Sequence, residues 1–332
     1  MKKILNDPTV YVDEMLEGLC AAHPDNYRQV GDAGRVIARA DGPVDGKVGI
    51  VSGGGSGHLP IFTGYVGRGL LDACAIGDVF ASPSVEQMAD AIRAANGGAG
   101  VLRLYGNYGG DIMNFDMAGD MLEMEDVATT TVLLADDVAS ASRDEREKRR
   151  GVAGMVYAFK IAGAAAEAGK DLAEVTRIAQ KAADHCVSMG AALTPCTVPQ
   201  AGKPTFELGE DEMEMGMGIH GEPGVWRGKL RSADEIAGEI MDTLLADQPL
   251  GAGDRVSPLV NSLGATPPEE LYILYRVVKQ RLEEAGAEIV MPLVGRYATS
   301  MEMTGISITL CKLDDELEGH LKAPAHCAFW TV

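Results

Sequence analysis

The chain has 332 residues, of which 46% are hydrophobic and 5% aromatic, an ordinary apolar content for a globular protein with a substantial core. Its 49 acidic and 29 basic residues give a formal charge of −20, which argues against nucleic acid and anionic membrane surfaces as partners. No apolar run is long enough to cross a membrane, no secretory signal is recognisable, and the six cysteines lack zinc-site spacing, so we expect a reduced, cytoplasmic protein.

In the first half of the chain, apolar runs typical of strands alternate with amphipathic stretches typical of helices. The predicted strands cover residues 47–51, 100–105 and 129–134, and the predicted helices cover residues 84–95 and 113–125. The first of these helices has Ser84 at its N-cap and Gln87 at capping-box distance. Such alternation predicts an α/β fold with largely parallel strands, which bind ligands at their carboxyl ends.

The second half begins with residues 151–193, which are rich in alanine and predict two helices. Residues 194–224 contain four prolines and many glycines, and they predict a long irregular loop with a functional role. Alternation then returns, with strands predicted at 256–263, 288–293 and 306–312 and a helix at 268–285. We therefore expect two α/β domains with mixed, largely parallel sheets, residues 1–185 and 186–332, and a ligand site in the cleft between glycine-rich loops.

The stretch Ser52–His58 (SGGGSGH) follows the first predicted strand and is expected to form a glycine-rich loop. Backbone N–H groups in such loops often hold phosphate. No lysine follows Gly57, so the stretch is not a P-loop, and its glycine spacing does not match the dinucleotide-binding fingerprint. A tight turn without a ligand is the plain alternative. His58, at the end of the stretch, instead favours a loop that faces a ligand-binding cleft.

Two of the six histidines, His58 and His220, have glycine neighbours, which let a ligand approach the backbone closely. His220 lies in the stretch GIHGEPG, residues 218–224. A single loop histidine is more often structural than catalytic, but two in similar settings favour a site. Asp111 ends the glycine-rich turn after the second predicted strand. It can serve either as a helix N-cap or as a general base at the edge of the sheet.

Three further patterns are interpreted without assigning a function. Four methionines with helical spacing are expected in the core rather than around a cofactor; they are Met113, Met117, Met121 and Met124. The charged run Arg143–Arg150 predicts a solvated helix start. The acidic stretch Glu207–Glu214 predicts a solvated loop in preference to a metal site, because its spacing matches no calcium-binding loop.

Together, these motifs resemble the dihydroxyacetone kinase family, specifically its ketose-binding K subunit. The resemblance runs nearly from end to end. The matching stretches are Met1–Asn6, Gly53–His58, Gly64–Gly67, Phe80–Ser84, Asn107–Phe115, Asp136–Val138, Arg149–Gly154, Cys196–Pro204, Met217–Gly224 and Thr304–Leu313.

The resemblance implies that His220 adds through its imidazole to the ketone of a short ketose and forms a hemiaminal. Such capture selects carbonyl compounds over polyols such as glycerol, because only the carbonyl carbon is electrophilic. It also implies that His58 hydrogen-bonds the substrate and that Asp111 accepts the proton of the hydroxyl to be phosphorylated. The implied substrate-binding residues are Gly55, Ser56, Gly57, His58, Gly106, Asp111 and His220.

By the same resemblance, a separate helical L subunit holds the nucleotide, Mg-ATP or Mg-ADP, and the segment after Thr304 leaves no room for it. The phosphoryl donor would be ATP on that subunit. This chain itself would hold no cofactor or metal. A phosphotransferase-system M subunit that rephosphorylates bound ADP is the other donor that the family allows. The chain is expected to be a homodimer. A ketose sensor acting as a transcriptional co-regulator is the alternative function, and the presence of His58, Asp111 and His220 favours catalysis.

Two positions depart from the family pattern. Leu59 stands where relatives usually have glutamate, and Gly106 stands where they usually have a lysine that contacts substrate. Both departures remove a charged side chain and would leave the pocket larger and less polar. The substrate is therefore dihydroxyacetone or a four-carbon or branched ketose such as erythrulose, and the departures favour the larger ketose.

Overall fold

The computed structural model describes residues 2–332, and its elements alternate between helix and strand along much of the chain. The helices are α1 (Tyr11–Ala22), α2 (Val85–Ala95), α3 (Gly109–Glu123), α4 (Gly154–Glu167), α5 (Leu172–Asp184), α6 (Ala233–Asp247), α7 (Pro268–Glu284) and α8 (Asp315–Lys322). The strands are β1 (Tyr27–Val30), β2 (Val36–Arg39), β3 (Gly49–Ser56), β4 (Ala73–Val79), β5 (Val101–Gly106), β6 (Thr129–Leu134), β7 (Cys186–Thr194), β8 (Glu212–Met215), β9 (Trp226–Lys229), β10 (Arg255–Ser262), β11 (Glu288–Ile289), β12 (Leu293–Gly295) and β13 (Thr304–Leu313).

The first sheet has the order β1-β2-β4-β3-β5-β6. Strands β4, β3, β5 and β6 are parallel, whereas β1 and β2 join the edge in antiparallel fashion. Helices α2 and α3 pack on one face through side chains such as Met88 and Phe115, and α4 and α5 pack on the other. Covering both faces buries nearly every residue of β3, β4 and β5, so none of these strands alternates between buried and exposed residues.

The second sheet has the order β11-β10-β13-β7-β8-β9, with β12 paired to β10. The long strands β10, β13 and β7 are antiparallel, and β11 and β12 run parallel to β10. Helices α6 and α7 cover one face. Helix α4 lies between the two sheets, and its Tyr157 hydroxyl donates a hydrogen bond to the Ser257 carbonyl on β10, at 3.0 Å. The predicted mixed α/β architecture is confirmed.

Most elements predicted from the sequence lie within a few residues of their observed bounds, and the capping box of Ser84 and Gln87 is present at α2. The two helices predicted in residues 151–193 are α4 and α5, but the end of that range is strand β7. This strand is buried on both faces along most of its length, so it has no alternation that would distinguish it from a buried helix. Elements α1, β1, β2, β4, β8, β9, α6 and α8 were not predicted.

The glycine-rich stretch is the main correction in the first sheet. Strand β3 continues through Ser56, so only Gly57 and His58 lie beyond it, rather than a loop of seven residues. The glycines serve close packing here. A Cβ added at Gly54 would lie 2.4 Å from Cζ of Phe62. Glycine in a strand interior marks such a close approach of another chain segment.

The interpretation of the α3 methionines as core is wrong for three of the four. Met113, Met117 and Met124 are exposed, and only Met121 packs partly against the core. The buried face of α3 is formed instead by Phe115, Ala118, Gly119 and Leu122.

Two charged stretches also contain buried residues. Arg149, at the end of the run Arg143–Arg150, is buried and donates two hydrogen bonds to the Asp247 carboxylate, at 2.6 and 2.9 Å. Glu214, in the acidic stretch, is buried and paired with Arg227. Within residues 2–332, no helix is long and apolar enough to span a membrane, and no group of three or more potential metal ligands is present.

Candidate functional site

The topology brings His58, Asp111 and His220 toward one edge of the first sheet. His58 directly follows β3, and Asp111 lies in the first turn of α3, shortly after β5. Because β3 and β5 are adjacent and parallel, their carboxyl ends meet at one edge, where such sheets bind ligands. His220 arrives from the loop between β8 and β9, and its ring centroid lies 4.8 Å from that of His58. The two histidines that the sequence singled out are therefore in contact.

His58 is 2% exposed, and its Nδ1 lies 2.6 Å from the carbonyl oxygen of Thr299. A carbonyl oxygen only accepts, so Nδ1 carries the proton and Nε2 keeps its lone pair. Burial, with a smaller contribution from nearby His220, lowers the pKa of His58 to about 3. Nε2 has no hydrogen-bond partner within the protein. A buried neutral acceptor of this kind suits a substrate hydroxyl.

Phe80 forms one wall of the site. Its ring stacks on His58 at a centroid distance of 4.9 Å and meets His220 edge-on at 5.3 Å. Its φ of 59° is in the left-handed region, a strain that concentrates at functional sites. Gly57 has a φ of 106°, and a Cβ there would lie 2.7 Å from the Phe80 ring. Glycine is therefore required at position 57 to seat His58 against this wall.

Glu222 orients His220. One carboxylate oxygen of Glu222 lies 2.9 Å from Nδ1 of His220, and the other accepts the backbone N–H of the same residue, also at 2.9 Å. Burial alone would raise the pKa of Glu222, but these hydrogen bonds lower it to about 2. A carboxylate at Nδ1 holds the proton on that nitrogen. The lone pair of Nε2 is then available as a nucleophile.

Asp111 accepts a hydrogen bond from the Ser82 hydroxyl at 2.6 Å. Burial raises the pKa of Asp111 to about 6, although the Ser82 hydrogen bond and His220 act in the opposite direction. Helix α3 has Tyr108 at its N-cap and no side-chain cap, so the N-cap alternative for Asp111 is wrong. A carboxyl group that titrates near neutral pH can act as a general base.

The remaining predicted residues lie around this cluster. Gly55 and Ser56 end β3, and Ser56 accepts the backbone N–H of Phe80 through its carbonyl oxygen. Gly106 ends β5, where a Cβ would lie 3.1 Å from the Tyr108 ring. That ring in turn meets His220 edge-on at 4.8 Å. The Gly106 position is therefore one side chain away from the proposed nucleophile.

Leu59 lines a cavity of about 320 Å³ together with Ser56 and Gly57, at the end of β3, and with Met15 and Arg296. None of the three clustered side chains lines that cavity. The prediction that Leu59 shapes the ketose pocket stays a prediction.

Sequence reasoning assigned no role to several residues of the site. Glu222 and Ser82 lie within motifs that were recognised, and a carboxylate two residues after a candidate nucleophile is a usable signal. Phe80 and Tyr108 are also in recognised motifs, but their contacts depend on the fold. Thr299 is 241 positions from His58, and nothing in the sequence links them.

Comparisons with known proteins agree with the fold and the motifs. The family model described as Dak1 domain matches residues 17–329. The chain is 46% identical over 331 residues to the PTS-dependent dihydroxyacetone kinase 1, dihydroxyacetone-binding subunit, of Listeria innocua, covering 99% of this chain and 100% of the relative. It is 44% identical over 329 residues to an L-erythrulose kinase of Pectobacterium atrosepticum, covering 98% of this chain but only 55% of the relative.

Two solved structures share the fold over nearly the whole chain. The dihydroxyacetone kinase of C. freundii has a TM-score of 0.90 and 32% identity, covering 99% of this chain and 60% of that one. The dihydroxyacetone kinase operon co-activator Dha-DhaQ has a TM-score of 0.88 and 33% identity, covering 94% of this chain and 96% of that one. The resemblance drawn from the motifs is confirmed.

Proposed function

The chain belongs to the Dak1 domain family, and from this premise we propose that it is the ketose-binding part of a kinase. It captures a short-chain ketose on His220 and presents a terminal hydroxyl to a phosphoryl donor on a partner. The observation that carries this proposal is the hydrogen bond between Glu222 and Nδ1 of His220, at 2.9 Å, which leaves Nε2 as the nucleophilic atom.

Capture is an addition to the ketone. Nε2 of His220 forms a bond to the carbonyl carbon, the π electron pair moves to the oxygen, and that oxygen takes up one proton from solvent to become a hydroxyl. The positive charge that develops on the imidazole is stabilised by the Glu222 carboxylate beside it. No atom leaves, so the adduct has the combined mass of protein and ketose.

The other two clustered side chains serve the captured ketose. Nε2 of His58 accepts a hydrogen bond from one of its hydroxyls, which satisfies an otherwise unpartnered buried nitrogen. Asp111 orients the attacking hydroxyl and takes its proton late, because phosphoryl transfer passes through a loose transition state. Its pKa of about 6 leaves it mostly deprotonated at pH 7.

The substrate is dihydroxyacetone or a four-carbon or branched ketose. The names of the relatives support both, since one binds dihydroxyacetone and another is an erythrulose kinase. Within the site, preference for the larger ketose rests on Gly106, which leaves the end of β5 without a side chain. Leu59 bears on this preference less directly, because the cavity that it lines is bordered by Ser56 and Gly57 but by none of His58, Asp111 and His220.

A partner subunit or domain holds the nucleotide, Mg-ATP or Mg-ADP, and ATP is the phosphoryl donor. The name of the Listeria relative supports a phosphotransferase-system donor that regenerates bound ATP. The chain spans 55% of the erythrulose kinase, so a donor domain on the same polypeptide is the other arrangement. A homodimer and a cytoplasmic location stay predictions; the six cysteines, all without disulfide partners, are compatible with a reducing compartment.

A ketose sensor is the second candidate function. It is supported by the likeness to an operon co-activator that is 33% identical over most of this chain. A sensor needs ligand capture but no base for phosphoryl transfer. A buried carboxyl group with a raised pKa, such as Asp111, therefore favours the kinase.

Intact-protein mass spectrometry tests the proposal. The chain mixed with dihydroxyacetone or erythrulose should gain the mass of one ketose, and the gain should disappear on dilution. The variant His220→Ala should show no adduct, whereas the control His326→Ala, at an exposed histidine, should match the unmodified chain. An adduct that persists in His220→Ala would overturn the proposal.

A further inference from the structure

Arg150 lies next to the candidate site, and the proposed reaction assigns it no role. Its side chain is mostly buried, with 14% exposed. Nε donates a hydrogen bond to the Asp137 carboxylate at 2.8 Å, and Nη2 lies 2.7 Å from the same oxygen. Nη2 also donates to the carbonyl oxygen of Gly216 at 3.0 Å. Because Asp137 follows β6 and Gly216 follows β8, this one side chain connects the first sheet to the loop that carries His220.

The contact at Gly216 lies where that loop leaves the second sheet. Gly216 has a φ of 81°, and its N–H donates to the carbonyl oxygen of Gly190 on β7 at 2.7 Å. Two residues later, the N–H of Gly218 donates to the carbonyl oxygen of Glu222 at 3.1 Å, which closes the loop around His220. The direction in which the imidazole projects therefore depends on how Gly216 and Gly218 are held.

The guanidinium also lies against the loop at Gly218. A Cβ added there would lie 2.7 Å from Nη1 of Arg150 and 2.2 Å from Oε2 of Glu222. Both groups thus occupy the space beside Gly218 that a side chain would fill. Arg150 is therefore a close neighbour of the carboxylate that holds Nδ1 of His220 at 2.9 Å.

Asp137 balances the charge of this arginine. The carboxylate is 2% exposed, and its other oxygen accepts the backbone N–H of Ala139 at 3.0 Å. Burial raises the pKa of Asp137 to about 6, although Arg150 acts in the opposite direction, so both partners are charged at pH 7. An unpaired guanidinium here would compete with His220 for Glu222 and oppose the positive charge that forms on capture. The paired guanidinium can hold the loop without either effect.

The residue after Arg150 supports the same imidazole by another route. The carbonyl oxygen of Gly151 accepts a hydrogen bond from the Tyr108 hydroxyl at 3.0 Å. The Tyr108 ring in turn meets His220 edge-on at a centroid distance of 4.8 Å. Two adjacent residues therefore fix His220, one through the loop backbone and one through an aromatic ring.

We propose that Arg150 is a positioning residue for ketose capture, which holds the loop at Gly216 and Gly218 so that Nε2 of His220 faces the ketose. This inference rests on the proposed function, because it assumes that His220 is the capturing residue. Arginine suits the role because its planar fork reaches a carboxylate and a carbonyl oxygen at the same time, whereas the ammonium of lysine acts as a point charge.

The test uses a double variant, Arg150→Met with Asp137→Asn, because Arg150→Met alone would leave a buried carboxylate without its partner. The dissociation constant of the ketose, from titration of the adduct by intact-protein mass spectrometry, should rise at least about tenfold, since hydrogen bonds from a charged donor are lost. In turnover with the nucleotide-binding subunit encoded in the same genome, KM should rise by a similar factor. The kcat at saturating ketose should stay within about threefold, because a captured ketose still faces Asp111.

Two further variants define the comparison. Arg143→Met removes a positive charge from an exposed position in the same stretch of chain and should capture the ketose as tightly as the unmodified chain. Arg150→Lys keeps the charge without the fork, so its affinity should lie between those of the double variant and the unmodified chain. Capture by the double variant as tight as by Arg143→Met would overturn the proposal.

Nuclear magnetic resonance of the chain alone, labelled with nitrogen-15 in its histidines, separates this inference from the proposed function. His220 of the unmodified chain should carry its proton on Nδ1, and the double variant should show this tautomer mixed with the other. That change would support the positioning role even if the unmodified chain formed no adduct, an outcome that counts against the proposed function alone. A fall in kcat as large as the rise in the dissociation constant would indicate a general disturbance of the site and would overturn the inference.

Discussion

Replacing Glu222 by glutamine removes the negative charge at Nδ1 of His220 and keeps the shape of the side chain. The wild-type carboxylate accepts two hydrogen bonds at 2.9 Å, one from the imidazole and one from the backbone of the same residue. Glutamine retains one oxygen acceptor, which can keep a neutral hydrogen bond to Nδ1, while the backbone N–H of His220 loses its side-chain acceptor. The variant also loses the stabilisation of the positive imidazole that forms on capture.

The expected loss of ketose affinity follows from the difference in free energy between a hydrogen bond to a charged group and a neutral one. A hydrogen bond to a charged group contributes about 1.5–3 kcal/mol and a neutral one about 0.5–1.5 kcal/mol. The difference, about 1–1.5 kcal/mol, corresponds to about 5- to 10-fold in an equilibrium constant. The dissociation constant of the ketose from Glu222→Gln should rise by that factor.

The assay is a titration of adduct against ketose concentration by intact-protein mass spectrometry. The control is Glu207→Gln, which removes one negative charge from an exposed position and should leave the dissociation constant unchanged. Capture by Glu222→Gln as tight as by the unmodified chain would refute the reasoning, because Glu222 would then be a structural residue of the loop.

Further predictions concern the base, the pocket and the packing of β3. Asp111→Asn should lower turnover with the partner by about 10²- to 10⁴-fold while retaining the adduct, as measured by a coupled kinase assay and mass spectrometry. Because the base works deprotonated, turnover of the unmodified chain should fall as pH drops through about 6, the pKa of Asp111, and rise to a plateau above it; a flat profile from pH 5 to 8 would contradict this. The chain should prefer erythrulose over dihydroxyacetone in kcat/KM, and Gly106→Lys should shift that preference toward dihydroxyacetone, as measured by competition between the two ketoses. Leu59→Glu should shift the preference less, because none of His58, Asp111 and His220 lines the cavity of Leu59. Gly54→Ala should lower the free energy of unfolding by about 1–3 kcal/mol in urea titration, because its Cβ would lie 2.4 Å from the Phe62 ring; unchanged stability would mean that Phe62 yields freely.

The sequence predicted those parts of the fold whose signals are local. The capping box of Ser84 and Gln87 and the apolar runs of β5, β6 and β10 depend on neighbouring residues only, and they were found. Strand β7 was missed because burial on both faces removes the alternation that identifies a strand. The methionines of α3 were misplaced because their spacing marks a helix face without saying which side meets the sheet.

In the candidate site, too, local sequence signals were predicted and properties that depend on the fold were not. His58, Asp111 and His220 were chosen from their glycine-rich surroundings and the family resemblance, and the fold places both histidines in contact. The tautomer of His58 could not be predicted, because it depends on the hydrogen bond to Thr299, a residue far away in the sequence. The extension of β3 through Ser56 depends on its pairing with β4, where Ser56 lies opposite Val79, and this pairing is likewise a property of the fold.

The claim that His220 forms a covalent bond to the ketone is tested most directly by nuclear magnetic resonance. The chain is labelled with nitrogen-15 in its histidines and mixed with dihydroxyacetone carrying carbon-13 at the carbonyl. The account predicts a tetrahedral carbon signal coupled through one bond to Nε2 of a single histidine, and this signal should be absent from His220→Ala. Two results would contradict the account. The first is that the unmodified chain gives free ketone and hydrate signals alone, and the second is that a coupled signal persists in His220→Ala.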